Sequence, residues 1–432
     1  MNQPKPAHKV LFKGATLLDL ESGKESPADL LIVDGVIAEL GKLDIPSFDG
    51  ELIDASGTVV VPGLMDMHVH LREPGREDEE TVESGCRAAM AGGFTAICPM
   101  PNTEPPADKR EVLDFLRDRA RGQLVELFPI AAVSKGRKGE EIAEMGELVD
   151  AGAVAFSDDG DPVHNAAVMR RALEYAKMFG RPVIDHCEER SLTAGGAMNE
   201  GFVSTNLGLP GMPAVAEEII VARDLALAKY TGGRLHVAHV STAGSVELIR
   251  RARAEGVQVT CEVTPHHLIL TDQAVVGFDT NTKMNPPLRT AADVEALRAG
   301  LRDGTIQVIA SDHAPHAVEE KDVEYAAAPF GIIGLETSLA LVLRELVGRQ
   351  VLTLAQALRA MSAGPRQVLG LEQLKVEKGA RANLTFVDPH AEWVVDTSRL
   401  ESKCRNTPFA GWKLRGRVFA LVNRGLYWRA VR

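Results

Sequence analysis

Between residues 91 and 313, six helical stretches end in glycine and a Val/Ile/Ala-rich run follows at once: AGGFTAICPM, DAGAVAFSDD, FGRPVIDHCE, TGGRLHVAHVS, AEGVQVTCEVT and RDGTIQVIASDH. Glycine takes the left-handed helix C-cap without steric penalty, so each helix stops there and a strand starts within a few residues. Continuous rather than alternating apolar strands between helices mean a parallel sheet covered on both faces. With GLMDMHVHL at the start and LVELFPIAAV before residue 134, the strands number eight. Eight such units predict an α/β fold of the (β/α)8-barrel type. An open doubly wound sheet is the alternative, and the lack of a GxGxxG after the first strand counts against it.

The two ends have another texture. KVLFKGATLLD, DLLIVDGVIAEL and GTVVVPG near the start, and ARANLTFVD, EWVVD and GRVFALVNRGLYWRAV near the end, are short apolar runs broken by Asp-Gly and Ser-Gly turns. The expected division is a barrel over residues 63–377 and a small β-sandwich domain built from both chain ends, 1–62 and 378–432.

Composition then excludes several function classes. No apolar run approaches the roughly 20 residues that cross a bilayer, and MNQPKPAHKVLFKGATLLDL lacks the apolar segment of a signal peptide. Cysteines 86, 98, 187, 261 and 404 form no CxxC pair, which points away from disulfides and zinc ribbons and toward a reducing cytoplasm. A net charge of −12 without a Lys/Arg block argues against general nucleic-acid binding, and with no spanning run no membrane partner is expected. It leaves an anionic small substrate open, because one site can be locally positive.

Residues with metal-binding chemistry recur at predicted strand ends. His68 and His70 lie two apart on the first strand, where period-two alternation places both imidazoles and Asp66 on one face. Asp158 and Asp159 close the fourth strand, His186 the fifth, His239 the sixth and Asp312 the eighth. Any one of these has an ordinary structural explanation: a turn cap for either Asp, a satisfied core histidine for His186. Together they collect imidazoles and carboxylates at one rim, the barrel's C-terminal mouth. Such ligands suit zinc, and they exceed what one tetrahedral ion with an open position needs, so two ions are expected.

HxH on strand one, histidines on strands five and six and Asp on strand eight resemble the amidohydrolase superfamily of metal-dependent hydrolases. DMHVHLREPG and ASDHAPH resemble the two signature segments of dihydroorotases, specifically the longer bacterial class, and the likeness runs over essentially the whole chain. Many superfamily members carry a carboxylated lysine on strand four. Here no Lys occurs between Lys138 and Lys177, and Asp159 falls at that ligand position, 27 residues before His186. The resemblance implies one zinc held by His68, His70 and Asp312, with Asp159 bridging to a second held by His186 and His239. It implies that Arg72, Asn102 and His316 hold the substrate carboxylate, and that Asn285 and the backbone of Phe330 and Gly331 contact the pyrimidine ring. A planar guanidinium fork suits a carboxylate, and an amide suits an amide-rich ring. For Asn102 and Asn285, both beside prolines, turn-shaping is the alternative. His266, His267 and His313 are expected to be structural or to support the ligands.

The reaction so implied is reversible hydrolysis of (S)-dihydroorotate to N-carbamoyl-L-aspartate, a step of de novo pyrimidine biosynthesis. A metal-bridging hydroxide would attack the ring carbonyl, and Asp312 would act as general acid/base. Two dications against Asp159, Asp312 and a hydroxide, together with Arg72, imply a positive mouth. Competing readings are a related cyclic amidase (hydantoinase, dihydropyrimidinase or allantoinase), which needs no carboxylate clamp, and a catalytically dead paralogue acting as a scaffold. A homodimer and an association with aspartate carbamoyltransferase, formed by some family members, are the partner arrangements left open.

Overall fold

The computed structural model describes residues 2–44 and 48–430. Its centre is a curled parallel array. Leu64–Val69 pairs with Phe94–Pro99, which pairs with Glu126–Leu127. The same chain segment continues through Ile130–Ala131 into a second run: Ala155–Ser157, Val183–Asp185, Leu235–Val237, Val259–Val263 and Val308–Ile309, all parallel. A parallel bridge from Val69 to His313 brings the last strand back to the first.

The six glycines that end the helices in sequence behave as expected. Gly93, Gly152, Gly180, Gly232, Gly256 and Gly304 all have left-handed φ values between 65° and 103°. Helix starts are equally local. The side chain of Thr81 accepts from Ser84 N and that of Thr290 from Asp293 N, each within a capping box. Gly92 serves a further purpose: a Cβ there would lie 2.1 Å from Leu335 O, so helix Val82–Gly92 packs closely on Leu335–Val342 only with glycine at the contact.

Strand side chains divide into two layers. Met65, Met67, Ala96, Cys98, Ile130, Ala155, Ile184, Ala238, Val308 and Ala310, from strands and their ends, cluster with Val368 and Leu369 of helix Ala363–Leu369. Leu64, Val69, Phe94, Ile97, Val183, Leu235 and Val237 instead pack with the surrounding helices. All five cysteines are buried and unpaired.

Both chain ends form one sheet. Its hydrogen-bonded order is Lys5–Pro6, Leu426–Arg429, Lys413–Asn423, Leu384–Val394, Val59–Pro62, Lys9–Leu18, Glu25–Val33 and Val36–Gly41, with Glu51–Asp54 also beside Lys9–Leu18. The strands of the two chain ends are linked edge to edge in one nine-stranded sheet. Both its faces are buried. Val60, Phe386 and Phe12 belong to a core of the sheet's own, with the two rings stacked at 4.3 Å. Val59, Val61, Val387 and Val418 face the central helices. No helix among the described residues is long and apolar enough to cross a membrane.

Candidate metal centre and substrate rim

His68 and His70 sit at the end of strand Leu64–Val69, where the pairing register slips between Asp66 and Val69. That irregularity breaks the expected alternation. Met65 and Met67 join the inner cluster, yet the His68 ring also turns inward, to Glu262 of the seventh strand. Asp66 does not join the histidines. Its carboxylate accepts from His68 N at 3.2 Å and from Ser311 N at 3.1 and 3.2 Å, tying the first strand to the eighth, and burial pushes its carboxyl up to about 7.

The remaining predicted ligands converge. His70 Nε2 lies 3.1 Å from Asp312 Oδ1, and His68 Nε2 lies 3.5 Å from the same oxygen. Asp159 Oδ2 is 3.4 Å from His68 Nε2 and 3.5 Å from His70 Nε2. Asp159 Oδ1 faces the other way, 3.5 Å from His239 Nε2 and 3.9 Å from His186 Nδ1, while those two nitrogens are 3.0 Å apart. Zinc bonds of about 2.0–2.1 Å at tetrahedral angles put ligand atoms roughly 3.3 Å apart. Both halves of the cluster have that spacing, with Asp159 contributing one oxygen to each.

The donor set fits divalent metal on a second count. His68 Nε2 and Asp159 Oδ1 are buried without a hydrogen-bond partner. Orphaned polar atoms in a protein interior cost about 1–3 kcal/mol each, unless a cation satisfies them. Burial pushes both carboxyls up, but the neighbouring imidazoles more than offset it and hold Asp159 and Asp312 below the usual carboxylate range. Acceptor-only, ionised oxygens result, as a cation requires.

The tertiary fold also supplies partners that the sequence reading missed. Glu262, fully buried, accepts from His68 Nδ1 and from His236 Nε2. It thereby fixes the His68 tautomer that leaves Nε2 for a metal. Glu188 accepts from His186 Nε2 at 3.0 Å, directing Nδ1 into the cluster. Period-two placement on strand Val259–Val263 could have singled out Glu262 as an inward carboxylate; nothing local distinguishes Glu188. His236 was likewise unremarked, although it shares Glu262 with His68.

Asp158 and Asp159 separate cleanly. The Asp158 carboxylate accepts from Val133 N, Ser134 N and the Ser134 hydroxyl, so it braces a neighbouring loop. Arg137 donates to Asp159 O at 2.8 Å and pairs with Asp161 at 2.6 Å, clamping the same turn from outside.

Residues expected to hold substrate surround this cluster, each already tied to the protein; both His316 ring nitrogens are engaged, Nδ1 by Glu79 at 3.0 Å and Nε2 by Phe330 O. His70 Nδ1 donates to Asn102 Oδ1 at 2.8 Å, which leaves the Asn102 amide N–H groups for an anion. Arg72 Nε donates to Pro315 O at 3.1 Å and pairs with Glu79 at 3.0 Å, while its Nη2 reaches to 3.3 Å from His316. Asn285 donates to Glu188 at 3.0 Å, leaving its carbonyl oxygen. His316 Nε2 donates to Phe330 O at 2.8 Å, and Gly331 N is committed to Lys283 O at 2.9 Å. At Gly331 φ is 125°, and a Cβ would meet Ala314 Cβ at 2.7 Å, so no side chain fits there.

A positive mouth does not follow once these carboxylates are placed. Glu79 opposes Arg72, and Glu262 and Glu188 oppose His68 and His186. The other three histidines have distinct places. His313 accepts from Gly334 N and donates to Glu80, at the seam between the last strand and the first. His267 donates to Pro286 O at 2.9 Å beside Asn285. His266 is buried with Nε2 unpartnered, and burial pushes its imidazole down to about 4.

A family model described as dihydro-orotase-like matches residues 57–245. A dihydroorotase of Pelotomaculum thermopropionicum is 56% identical over 417 residues, covering 96% of this chain and 97% of its own. One from Citrifermentans bemidjiense is 52% identical over 417 residues, covering 96% and 98%. Among solved structures, an L-hydantoinase (dihydropyrimidinase) from Arthrobacter aurescens superimposes with a TM-score of 0.87 at 26% identity, over 98% of both chains. A dihydropyrimidinase from Brevibacillus agri has the same fold, with a TM-score of 0.83 at 23% identity over 97% of this chain and 94% of its own.

Proposed function

The chain belongs to the dihydroorotase family of cyclic amidohydrolases, and we propose that it interconverts (S)-dihydroorotate and N-carbamoyl-L-aspartate at a two-zinc centre in pyrimidine biosynthesis. The observation that carries the two-ion reading is Asp159, whose oxygens face His68 and His70 on one side and His186 and His239 on the other. His68, His70 and Asp312 would hold one ion, and His186 and His239 the other. We read the curled strand array as a closed (β/α)8 barrel over 63–377, on the support of the Val69–His313 bridge. The sheet from 1–62 and 378–432, enclosing its own core, we read as a sandwich-like second domain.

When bound, the ions supply Lewis acidity to a carbonyl oxygen and lower the pKa of water. The chain's own residues do the rest. Arg72, Asn102 and His316 orient the substrate carboxylate; Pro315 and His70 already fix the inner ends of Arg72 and Asn102, and Glu79 and Phe330 O hold the His316 ring. The Asn285 carbonyl and the backbone carbonyls of Phe330 and Gly331 complement ring N–H groups. Asp312 takes the proton of the attacking water and delivers it to the ring nitrogen as the amide bond breaks. In the closing direction the same carboxyl returns the proton.

A related cyclic amidase is the second reading, favoured by the hydantoinase fold likeness. Turnover of dihydroorotate beside dihydrouracil, hydantoin and allantoin, on protein of measured zinc content, separates the two. Dihydroorotate should be preferred and the equilibrium should shift toward it as pH falls, because ring closure consumes a proton. Equal turnover of dihydrouracil, or a pH-independent equilibrium, would remove the assignment.

A further inference from the structure

Lys321 ends the short helix Val318–Lys321 and is only 6% exposed. Its ammonium spends all three N–H groups on backbone carbonyls: Pro329 O at 2.8 Å, Thr280 O at 3.2 Å and Lys283 O at 3.4 Å. Two of these carbonyls belong to the 280–285 segment that ends in Asn285. The third immediately precedes Phe330 and Gly331. Lys283 completes the arrangement. Its carbonyl also accepts from Gly331 N, its own ammonium donates to Ala326 O at 2.8 Å, and that ammonium lies 4.6 Å from the Phe330 ring centroid. The Thr280 hydroxyl donates back to Lys321 O at 2.6 Å. Two loops distant in sequence, which carry the two halves of the proposed ring site, are therefore joined through one buried cation.

We propose that Lys321 is a positioning residue for substrate, holding Asn285 and the Phe330–Gly331 backbone at the spacing that a pyrimidine ring requires. This rests on the reading of those residues as ring contacts. An apolar residue of the same length would fill the space but leave Pro329 O without a donor, while Thr280 O and Lys283 O would keep only Lys283 N and Gly331 N. The loops would then separate to reach water, because buried carbonyls without donors are costly.

The charged groups acting on Lys321 are Lys283, Asp279 and Glu320. Asp279 is turned toward Asn281 N, and Glu320 is engaged by Arg76 at 2.8 Å, so neither forms an ion pair with it. Burial, reinforced by the Lys283 charge, pushes the ammonium down to about 7. The neutral amine has two N–H groups for three carbonyls and turns a lone pair toward one of them. Substrate binding should weaken as pH rises through that value.

The test measures KM and kcat for dihydroorotate from about pH 6 to 9, with metal content, for the unmodified protein, Lys321→Met and Asn285→Ala. We expect Lys321→Met to raise KM about tenfold at the acid end, with kcat within about threefold, unchanged metal content and no further rise in KM with pH. Asn285→Ala should raise KM too. If Asn285→Ala raises KM and Lys321→Met does not, the inference fails and the ring-site reading stands. If Asn285→Ala leaves KM unchanged, the ring-site reading falls and takes the inference with it. Loss of kcat and metal together in Lys321→Met would mean a general structural role and overturn the proposal. Should Lys321→Met not fold, Lys321→Arg decides. A guanidinium keeps its proton throughout, so the rise of KM with pH must disappear, and its persistence rejects the proposal.

Discussion

Arg72 and Glu79 form an ion pair of 3.0 Å, Nε to Oε2, in which the carboxylate is buried. The guanidinium proposed to bind substrate is thus fixed along its inner edge before substrate arrives. Its outer edge, near His316, is what an anion would meet.

The first prediction follows from that pair. Arg72→Ala should lower kcat/KM for dihydroorotate by about 10²–10³, since a buried charge pair is worth roughly 2–5 kcal/mol when one partner is removed. Turnover of dihydrouracil, which lacks the carboxylate, should change far less. Glu79→Gln should leave metal content intact and raise KM by loosening Arg72. Steady-state kinetics on both rings check this, and an equal loss on both would mean that Arg72 does not read the carboxylate.

A second prediction separates the adjacent aspartates. Asp159→Ala should lose zinc, mainly from the His186–His239 side, because two histidines make an incomplete ligand set. Reconstitution without carbon dioxide and bicarbonate should leave the unmodified protein active, if Asp159 fills the place a carboxylated lysine takes in other superfamily members. Asp158→Ala should retain its metal but lose about 1–3 kcal/mol of stability, through an unpaired Ser134 N, since Val133 N keeps its bond to Ser157 O. Elemental analysis and thermal melts on the same preparations decide. The opposite pattern would exchange the two roles.

Asp312 carries the third. It adopts a left-handed φ of 49°, a conformation that asparagine tolerates well. Asp312→Asn should therefore fold, keep much of its metal and bind dihydroorotate with modest change. Its kcat should fall by about 10²–10⁴ in both directions, as expected for loss of a general acid/base. Near-normal turnover with metal retained would exclude the proton-transfer role.

The fourth concerns Glu262, which holds His68 from behind. Glu262→Gln should weaken zinc affinity by about 10–100-fold, the usual cost of losing an outer partner to a metal-bound histidine. Chelation of the unmodified protein should lower its melting temperature and added zinc should restore it, because converging carboxylates and imidazoles are left without a cation. Competition with a chelating dye measures the affinity. An unchanged value for Glu262→Gln would make the Glu262–His68 contact purely a packing feature.

What could be read from the sequence is what is set within a few residues. Left-handed glycines after Val82–Gly92 and Ala291–Asp303 are local backbone chemistry, so the glycine-terminated helix ends and the strands that follow them were legible. So was the convergence of His68, His70, His186, His239 and Asp312, because a parallel array with helical crossovers brings successive strand ends to one rim. The tertiary structure alone decided the partners. Which aspartate faces the histidines turned on Asp158 finding Val133 and Ser134 on the preceding strand's loop. Glu262 meets His68 across 194 residues, and Lys321 reaches Thr280 across 41. Even on the first strand, a register slip placed Asp66 on Ser311 rather than beside the imidazoles. A side chain's partner across the fold depends on how strands register and loops close, and those are collective outcomes of packing that no window of neighbouring residues contains.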